Sequence, residues 1–364
     1  MSDTWLSETS IPDATTAIFL GPIAQEVIDR ECKDYPKGVL LITSPESNEG
    51  MNERIANLKV VHYSFPTETI REAVREILLS EYNHQPVVKV GKNSEGDPSN
   101  LYSDILALII TEIDSTFRSR KSREEVGYQR QHQVFKNLSG YLGRRVPDEW
   151  RELANGSLAV VVGAGPSLDQ TLPLLKEGFP KPVVVAADSS LRALKSAGMD
   201  PDFVVSIDPE KTYDSCSEPN YSPGLVIVSS QSHESWTREW GTRSCFLSGR
   251  VLTEDWLAEK GIAKTKLQAV NNAGLTALLF ADYLDPSAIL MVGMDLAGGG
   301  QGERRYAEST GRSHIQIQAA QYHKVQGNFE PEVPTPFLSD WKETSDLIKE
   351  ISPRRMIINL NDRG

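Results

Sequence analysis

Short apolar runs recur along this chain, and each ends in small or polar residues. Leu158–Val162 reads LAVVV, Val183–Ala187 reads VVVAA, residues 203–207 read FVVSI, Leu225–Ser229 reads LVIVS and Ala288–Val292 reads AILMV. The runs are continuous, not alternating, as expected of strands covered on both faces in a parallel sheet. Helical spacing separates them, at Leu168, Leu172, Leu174 and Leu175, at Leu191, Leu194 and Ala197, and across residues 275–283. Alternation of this kind predicts a Rossmann-like open, mostly parallel sheet in the C-terminal part of the chain. A similar but smaller pattern comes first. Strands are predicted at Thr16–Leu20 and at residues 39–43, 58–63 and 87–90, with a helix over 23–32. A second helix opens at Thr67 and shares Ile70, Val74, Ile77 and Leu78 on one face. The polar stretch 92–102 reads as a linker, 101–117 as an apolar helix, 118–125 as a solvated charged helix surface, and 134–142 as helix. Residues 1–127 are therefore expected to form an N-terminal α/β accessory domain with a helical linker, and 128–364 a second domain.

Length and charge narrow the classes of partner. A chain of 364 residues exceeds the usual single core. With 38 basic and 50 acidic residues its net charge is −12, which disfavours binding a polyanion by bulk attraction. The basic cluster Arg118, Arg120, Lys121 and Arg123 abuts Glu124 and Glu125 with no aromatic platform, so no nucleic-acid partner is expected. Cys32, Cys216 and Cys245 are odd in number and widely spaced, which points to a reducing compartment and no structural zinc. No run approaches a bilayer span, and residues 1–20 lack the layout of a secretion leader. A cytoplasmic protein without membrane contact is the expectation.

The chemistry is expected at the strand exits, where an open α/β sheet places its ligand crevice. After the first run comes Gly163-Ala164-Gly165-Pro166-Ser167-Leu168-Asp169, a glycine turn into a helix. Its amides are predicted to cradle an anion, with Ser167 as helix cap. The turn lacks the Lys of a phosphate loop and the third Gly of a dinucleotide turn. Later exits carry Asp188-Ser189-Ser190, Asp208-Pro209, residues 229–233 ending in His233, and Gly293-Met294-Asp295. Asn271-Asn272-Ala273-Gly274 precedes an apolar helix, either as ligand contacts or as an Asn cap with a tight turn. The segment LAGGGQGERRYAEST holds Arg304, Arg305 and Tyr306, and reads as a lid over a donor or as a disordered surface loop. No HxH or HExxH spacing exists for a histidine-ligated metal. Trp236, Trp240 and Trp256 are assigned to packing by default, and the early FLGP turn to structure.

These motifs, taken in order as GAGPSLD, ADSSLRALKSAGMDPDFVVSIDP, VNNAGLTALLFAD and ILMVGMDLAGGGQGERRYAEST, resemble the family of Maf glycosyltransferases and MptE-like 6-hydroxymethylpterin diphosphokinases over residues 129–364. The GPSL turn and the GMD…YA segment are also similar, over a shorter stretch, to bacterial sialyltransferases that use CMP-sialic acid. The resemblance implies a transferase with a nucleotide-activated donor at Gly163, Gly165, Pro166, Ser167, Leu168, Asp188, Ser189, Asn271, Asn272, Gly274, Asp295 and Arg305. It implies Tyr306, His323 and Asp208 as catalytic residues, with Tyr306 on the leaving phosphate and His323, or else His314, as base. Ala297 stands near where the sialyltransferases carry a second tyrosine. An N-terminal domain like that of Maf proteins favours transfer of a nonulosonate-type sugar from a CMP-sugar to Ser or Thr of a flagellin-like protein, with no cofactor required. The alternative is pyrophosphoryl transfer from ATP to 6-hydroxymethyl-7,8-dihydropterin, with Asp188, Asp208 and Asp295 holding Mg²⁺. A non-catalytic nucleotide-sugar-binding protein is the third reading.

Overall fold

The computed structural model describes residues 4–44, 55–64, 66–92, 101–178, 181–319 and 322–361. The chain divides into two compact units between Ser122 and Arg123, where the sequence reading places the boundary at Tyr128. Most of the expected linker 92–102 lies outside the described residues.

The first unit contains β1 (Trp5–Glu8), β2 (Thr16–Leu20), α1 (Gln25–Asp34), β3 (Gly38–Thr43), β4 (Leu58–His62), α2 (Thr67–Ser80) and β5 (Val87–Gly91). Its sheet runs β1-β5-β2-β3-β4, with β1 antiparallel to β5 and the other neighbours parallel. The β2 and β3 side chains alternate between two cores. Ile18, Leu20, Leu40 and Ile42 pack with Ile70, Val74 and Ile77 of α2, whereas Phe19 and Leu41 pack with Trp5, Ile28 and Tyr35. The FLGP turn is structural, since Gly21 takes φ +105° and its N–H bonds Ile42 O at 2.9 Å.

The helical stretches expected over 101–117, 118–125 and 134–142 belong to one continuous helix, α3 (Leu101–Gly143). Arg120, assigned to the solvated surface, is buried. Its guanidinium donates to the carbonyls of Leu78, Glu81 and Tyr82 and lies over the rings of Tyr82 and Phe117. The last carbonyls of α2 need donors, and a guanidinium supplies several at once.

The second unit holds β6 (Leu158–Val162), α4 (Leu168–Gly178), β7 (Val183–Ala187), α5 (Leu191–Ser196), β8 (Phe203–Ser206), α6 (Tyr213–Cys216), β9 (Leu225–Ser229), α7 (Glu234–Trp240), β10 (Ser244–Leu247), α8 (Leu252–Glu259), α9 (Ala273–Tyr283), β11 (Ala288–Val292), β12 (His323–Val325), β13 (Val333–Thr335), α10 (Leu338–Ile351) and β14 (Met356–Asn359). Its seven-stranded sheet runs β10-β9-β8-β7-β6-β11-β14, and every neighbouring pair is parallel. The β6 residues show why the apolar runs are unbroken. Ala159 and Val161 face a core with α9, while Val160 and Val162 face one with Leu168 and Leu172 of α4. Helix α9 is apolar nearly all round and accordingly buried, with Leu278, Phe280 and Ala281 at 0% exposure. Trp236 and Trp240 pack with Tyr213 and Phe246, whereas Trp256 is exposed.

The chain moves outward from β6 to β10, then returns to the other side of β6 as β11 and β14. The strand order therefore reverses between β6 and β11, and a crevice opens beyond the carboxyl ends of strands at such a switch point. Among the described residues, no helix is long and apolar enough to cross a membrane.

Candidate functional site

Gly163 to Leu168 and Gly293 to Asp295 leave the two central strands side by side. The Gly163 N–H bonds Val292 O and the Gly165 N–H bonds Gly293 O, each at 2.8 Å. The Ser167 N–H donates to Asp295 Oδ2 at 2.7 Å, the Leu168 N–H bonds Gly165 O at 3.0 Å, and Pro166 has no N–H to offer. The expected amide cradle is therefore corrected. The N–H groups of Gly165, Ser167 and Leu168 are committed within the protein, and a carboxylate stands at the start of α4 where an external anion was expected. Such a carboxylate complements the positive end of the helix. Ser167 does not cap α4 through its hydroxyl, because Oγ is buried with no hydrogen-bond partner.

The glycines serve the fit between the two strand exits. A Cβ at Gly163 would lie 2.2 Å from Gly293 O, and one at Gly165 would lie 2.3 Å from Asp295 Oδ2. Gly293 itself needs φ +63°. Asn361 closes the clasp, accepting from the Met294 N–H at 2.8 Å and donating to Met294 O at 3.2 Å.

At the exit of β7, Asp188 is buried and fully engaged. Its Oδ1 accepts from Ser189 N at 2.7 Å, Ser189 Oγ at 3.1 Å and Lys211 Nζ at 2.9 Å, and its Oδ2 from Ser206 Oγ at 3.0 Å. Asp208 Oδ1 accepts from the N–H groups of Glu210 and Lys211 at the β8 exit. Asp188 and Asp208 thus both bond Lys211 while Asp295 bonds the Ser167 N–H, and among the described residues no group of three or more His, Cys, Asp or Glu could hold a metal ion. The expected Mg²⁺ triad does not fit this arrangement. Lys211, which the sequence reading passed over, is central here. Burial pulls its ammonium down, but Asp188 foremost, with Tyr306, Cys216 and Asp208, outweighs burial and holds it above the ordinary lysine value. Its sequence signal was its place just beyond the Asp208-Pro209 exit.

Of the two readings of the asparagine pair, the cap holds for Asn272. Asn272 is the N-cap of α9, its Oδ1 accepting from Leu275 N at 2.7 Å and its Nδ2 donating to Asp340 at 3.2 Å. Asn271 bonds Arg250 and Glu343. Gly274 leaves room for Met294, since a Cβ there would lie 2.7 Å from its Sδ. His233 caps α7 through Nδ1, and burial holds its imidazole below the ordinary value.

The glycine-containing segment after Asp295 is folded against the turn, and the expectation of a disordered loop does not hold. Ala307 N–H bonds Ala164 O at 2.9 Å, and the Asp169 carboxylate accepts from Glu308 N at 2.8 Å and Ser309 N at 3.2 Å. Pro166, Asp295, Ala297, Arg304, Arg305 and Phe337 are among the residues around a pocket with about 20 Å³ of free room, or about 370 Å³ when all the space at its open mouth is counted. The Arg305 guanidinium lies 5.1 Å from the Phe337 ring and 5.7 Å from that of Tyr306, and Arg312 lies 5.0 Å from Tyr306 on its own approach. His323 belongs to the β12–β13 ribbon, opposite Thr335, which bonds Leu296 O beside the pocket. His314 is exposed. A larger opening, lined by Lys181, Asp200, Asp202 and Gly224 among others, lies at the opposite, amino ends of β7, β8 and β9. The strand order assigns ligand binding to the carboxyl ends, so the smaller pocket is the candidate site.

Residues 132–300 match the family described as 6-hydroxymethylpterin diphosphokinase MptE-like. The matched stretch includes the glycine turn, Asp188, Asp208, Lys211 and Asp295, and it ends before Arg304, Arg305 and Tyr306. The fold is similar to that of the Maf glycosyltransferase from Magnetospirillum magneticum AMB-1, with a TM-score of 0.50 and 15% identity. The likeness covers 96% of this chain, which spans 56% of the length of that one. No curated protein matches the chain.

Proposed function

We propose that the second unit is a transferase for a nucleotide-activated donor, whose phosphate is held by arginine side chains over the β6 and β11 exits. The observation that carries this is the pocket that joins Pro166 and Asp295 to Arg304 and Arg305, with Tyr306 beside it at the switch point of the sheet. Two guanidinium groups offer forked donors to a phosphate and do not require the committed amides.

Glycosyl transfer is the favoured reaction, supported by the likeness to a Maf glycosyltransferase over nearly the whole chain. The donor is a CMP-activated nonulosonate and the acceptor a Ser or Thr hydroxyl of a flagellin-like protein. The acceptor oxygen bonds the anomeric carbon while the bond from that carbon to the phosphate oxygen breaks. The phosphate takes the electron pair, and CMP departs. Arg304, Arg305 and the Tyr306 hydroxyl stabilise charge on the departing phosphate. The acceptor proton passes to Asp208, whose Oδ1 is fixed by two backbone N–H groups, or to His323. The name of the matched family supports a second reading, pyrophosphoryl transfer from ATP to the hydroxymethyl oxygen of a dihydropterin, with AMP released. That the described residues hold no group of three or more His, Cys, Asp or Glu able to take a metal ion counts against the arrangement expected for it.

The test is calorimetric titration of the wild type and an Arg304→Gln/Arg305→Gln variant with CMP. Each lost hydrogen bond between charged groups is worth about 1.5–3 kcal/mol, so binding should weaken at least about tenfold. Equal affinity in the two proteins overturns the arginine-held phosphate. Release of AMP from ATP and the dihydropterin alcohol would select the second reading.

A further inference from the structure

Two more arginines converge a short way along the same set of strand exits. Arg192 Nη1 and Arg312 Nη1 both donate to Ser215 O, at 3.4 and 3.1 Å. Arg192 Nη2 also bonds Asp214 O at 2.7 Å and Ser217 O at 3.0 Å, and Arg312 Nη1 reaches Cys216 Sγ at 3.5 Å. Capping the carbonyls of α6 accounts for part of this, since cations suit a helix C-terminus. It does not account for two like charges sharing one carbonyl of a four-residue helix.

Among the described residues no carboxylate pairs directly with either arginine, none lying within 4.0 Å, although Glu218 feels the charge of Arg192 from farther off. Glu218, the acid on the same loop, pairs with Lys195 at 2.6 Å. The Arg312 Nε–H is buried with no hydrogen-bond acceptor. Burial first, with Asp188, raises the Cys216 thiol, so it stays protonated and supplies no negative charge. Gly311 takes φ +70° as the left-handed cap of the turn before Arg312, and a Cβ there would only touch Arg192 Nη1 at 3.4 Å. The Tyr306 ring packs against both Arg305 and Arg312 and links this pair to the pocket.

We propose that Arg192 and Arg312 form a second oxyanion subsite, which takes a carboxylate or phosphate group distinct from the phosphate held at Arg304 and Arg305. The location of the subsite stands on these contacts alone, and only its assignment to the donor rests on the transferase reading. An oxyanion there satisfies the Arg312 Nε–H and neutralises two charges that the fold leaves together. A donor whose sugar carries a carboxylate would engage both arginine pairs.

The experiment titrates the wild type and Arg312→Gln with three probes: pyrophosphate, N-acetylneuraminate and CMP. The subsite predicts that Arg312→Gln weakens pyrophosphate or N-acetylneuraminate about tenfold and CMP less than about threefold. The probe that responds tells phosphate from sugar carboxylate. Unchanged binding of both overturns the subsite and leaves the arginines as helix caps. Should Arg312→Gln not fold, dicarbonyl labelling of the wild type, mapped by mass spectrometry, decides the matter. Arg192 and Arg312 should be shielded by the responding probe and Arg243 should not, whereas equal labelling with and without probe also overturns the subsite. Failure of CMP to bind the wild type refutes the transferase reading without touching this one.

Discussion

Asp295→Asn separates the two roles a carboxylate at the turn can have. The side chain presently accepts from the Ser167 N–H at 2.7 Å in the first turn of α4, in space that Gly165 leaves open. An asparagine can keep the hydrogen bond through its carbonyl oxygen but brings no charge. A charged hydrogen bond is worth about 1 kcal/mol more than a neutral one. Loss of the interaction with the helix N-terminus adds about 0.3–1 kcal/mol. The total of about 1–2 kcal/mol corresponds to a fall in Tm of roughly 3–6 °C for a unit of this size. CMP affinity should hold or rise, because a negative charge leaves the wall of a pocket that must admit phosphate. Differential scanning calorimetry and titration with CMP read the two effects. An unchanged Tm would show that the carboxylate does not secure the turn. A loss of CMP binding of tenfold or more would make Asp295 a donor ligand and refute the reasoning.

Further outcomes follow from buried charges. Lys211→Met leaves the Asp188 carboxylate buried without its cation, and denaturant unfolding should show a loss of about 3–5 kcal/mol, partly restored by adding Asp188→Asn. Burial raises the Glu254 carboxyl above its ordinary value, although Ser230, Gly249 and Ser248 favour the anion. Its contribution is complete below the ordinary carboxylate range and is lost as pH rises through the raised value, so Glu254→Gln should flatten the decline of second-unit stability on that side. Glu81 behaves oppositely, held at about 2 by Lys37, Thr15 and the Asn83 N–H. Its contribution is present above its ordinary value and vanishes as pH falls toward 2, so Glu81→Gln should make first-unit stability less acid-sensitive, as read by circular dichroism across pH.

The five apolar runs were legible as strands because a strand covered on both faces has no polar alternation to disguise it. Ser244–Leu247 escaped notice because SCFL is short, mixed in polarity and lies at the sheet edge, where one side pairs only with β9. In helix α3 the charged residues around Arg120 suggest a solvated helix surface, whereas that guanidinium is buried against the end of α2. The place of the site was legible from the polar residues at successive strand exits, but its wiring was not. Glycines in GAGPS carry the same sequence signal whether they admit a phosphate or another strand exit. Only the pairing of Gly163 with Gly293 and of Gly165 with Asp295, residues far apart in sequence, separates the two. The same holds for Asn272, where a ligand contact and a helix cap share one sequence signal and the Leu275 N–H bond to Oδ1 makes it the cap.

Amide hydrogen exchange across residues 163–168, with and without CMP, tests the account most directly. Gly163, Gly165, Ser167 and Leu168 already donate within the protein, so these amides should be slow to exchange in the free form and change little when CMP binds. Rapid exchange in the free protein that becomes slow only with CMP would mean that the turn itself grips the phosphate, contrary to an anion held by Arg304 and Arg305.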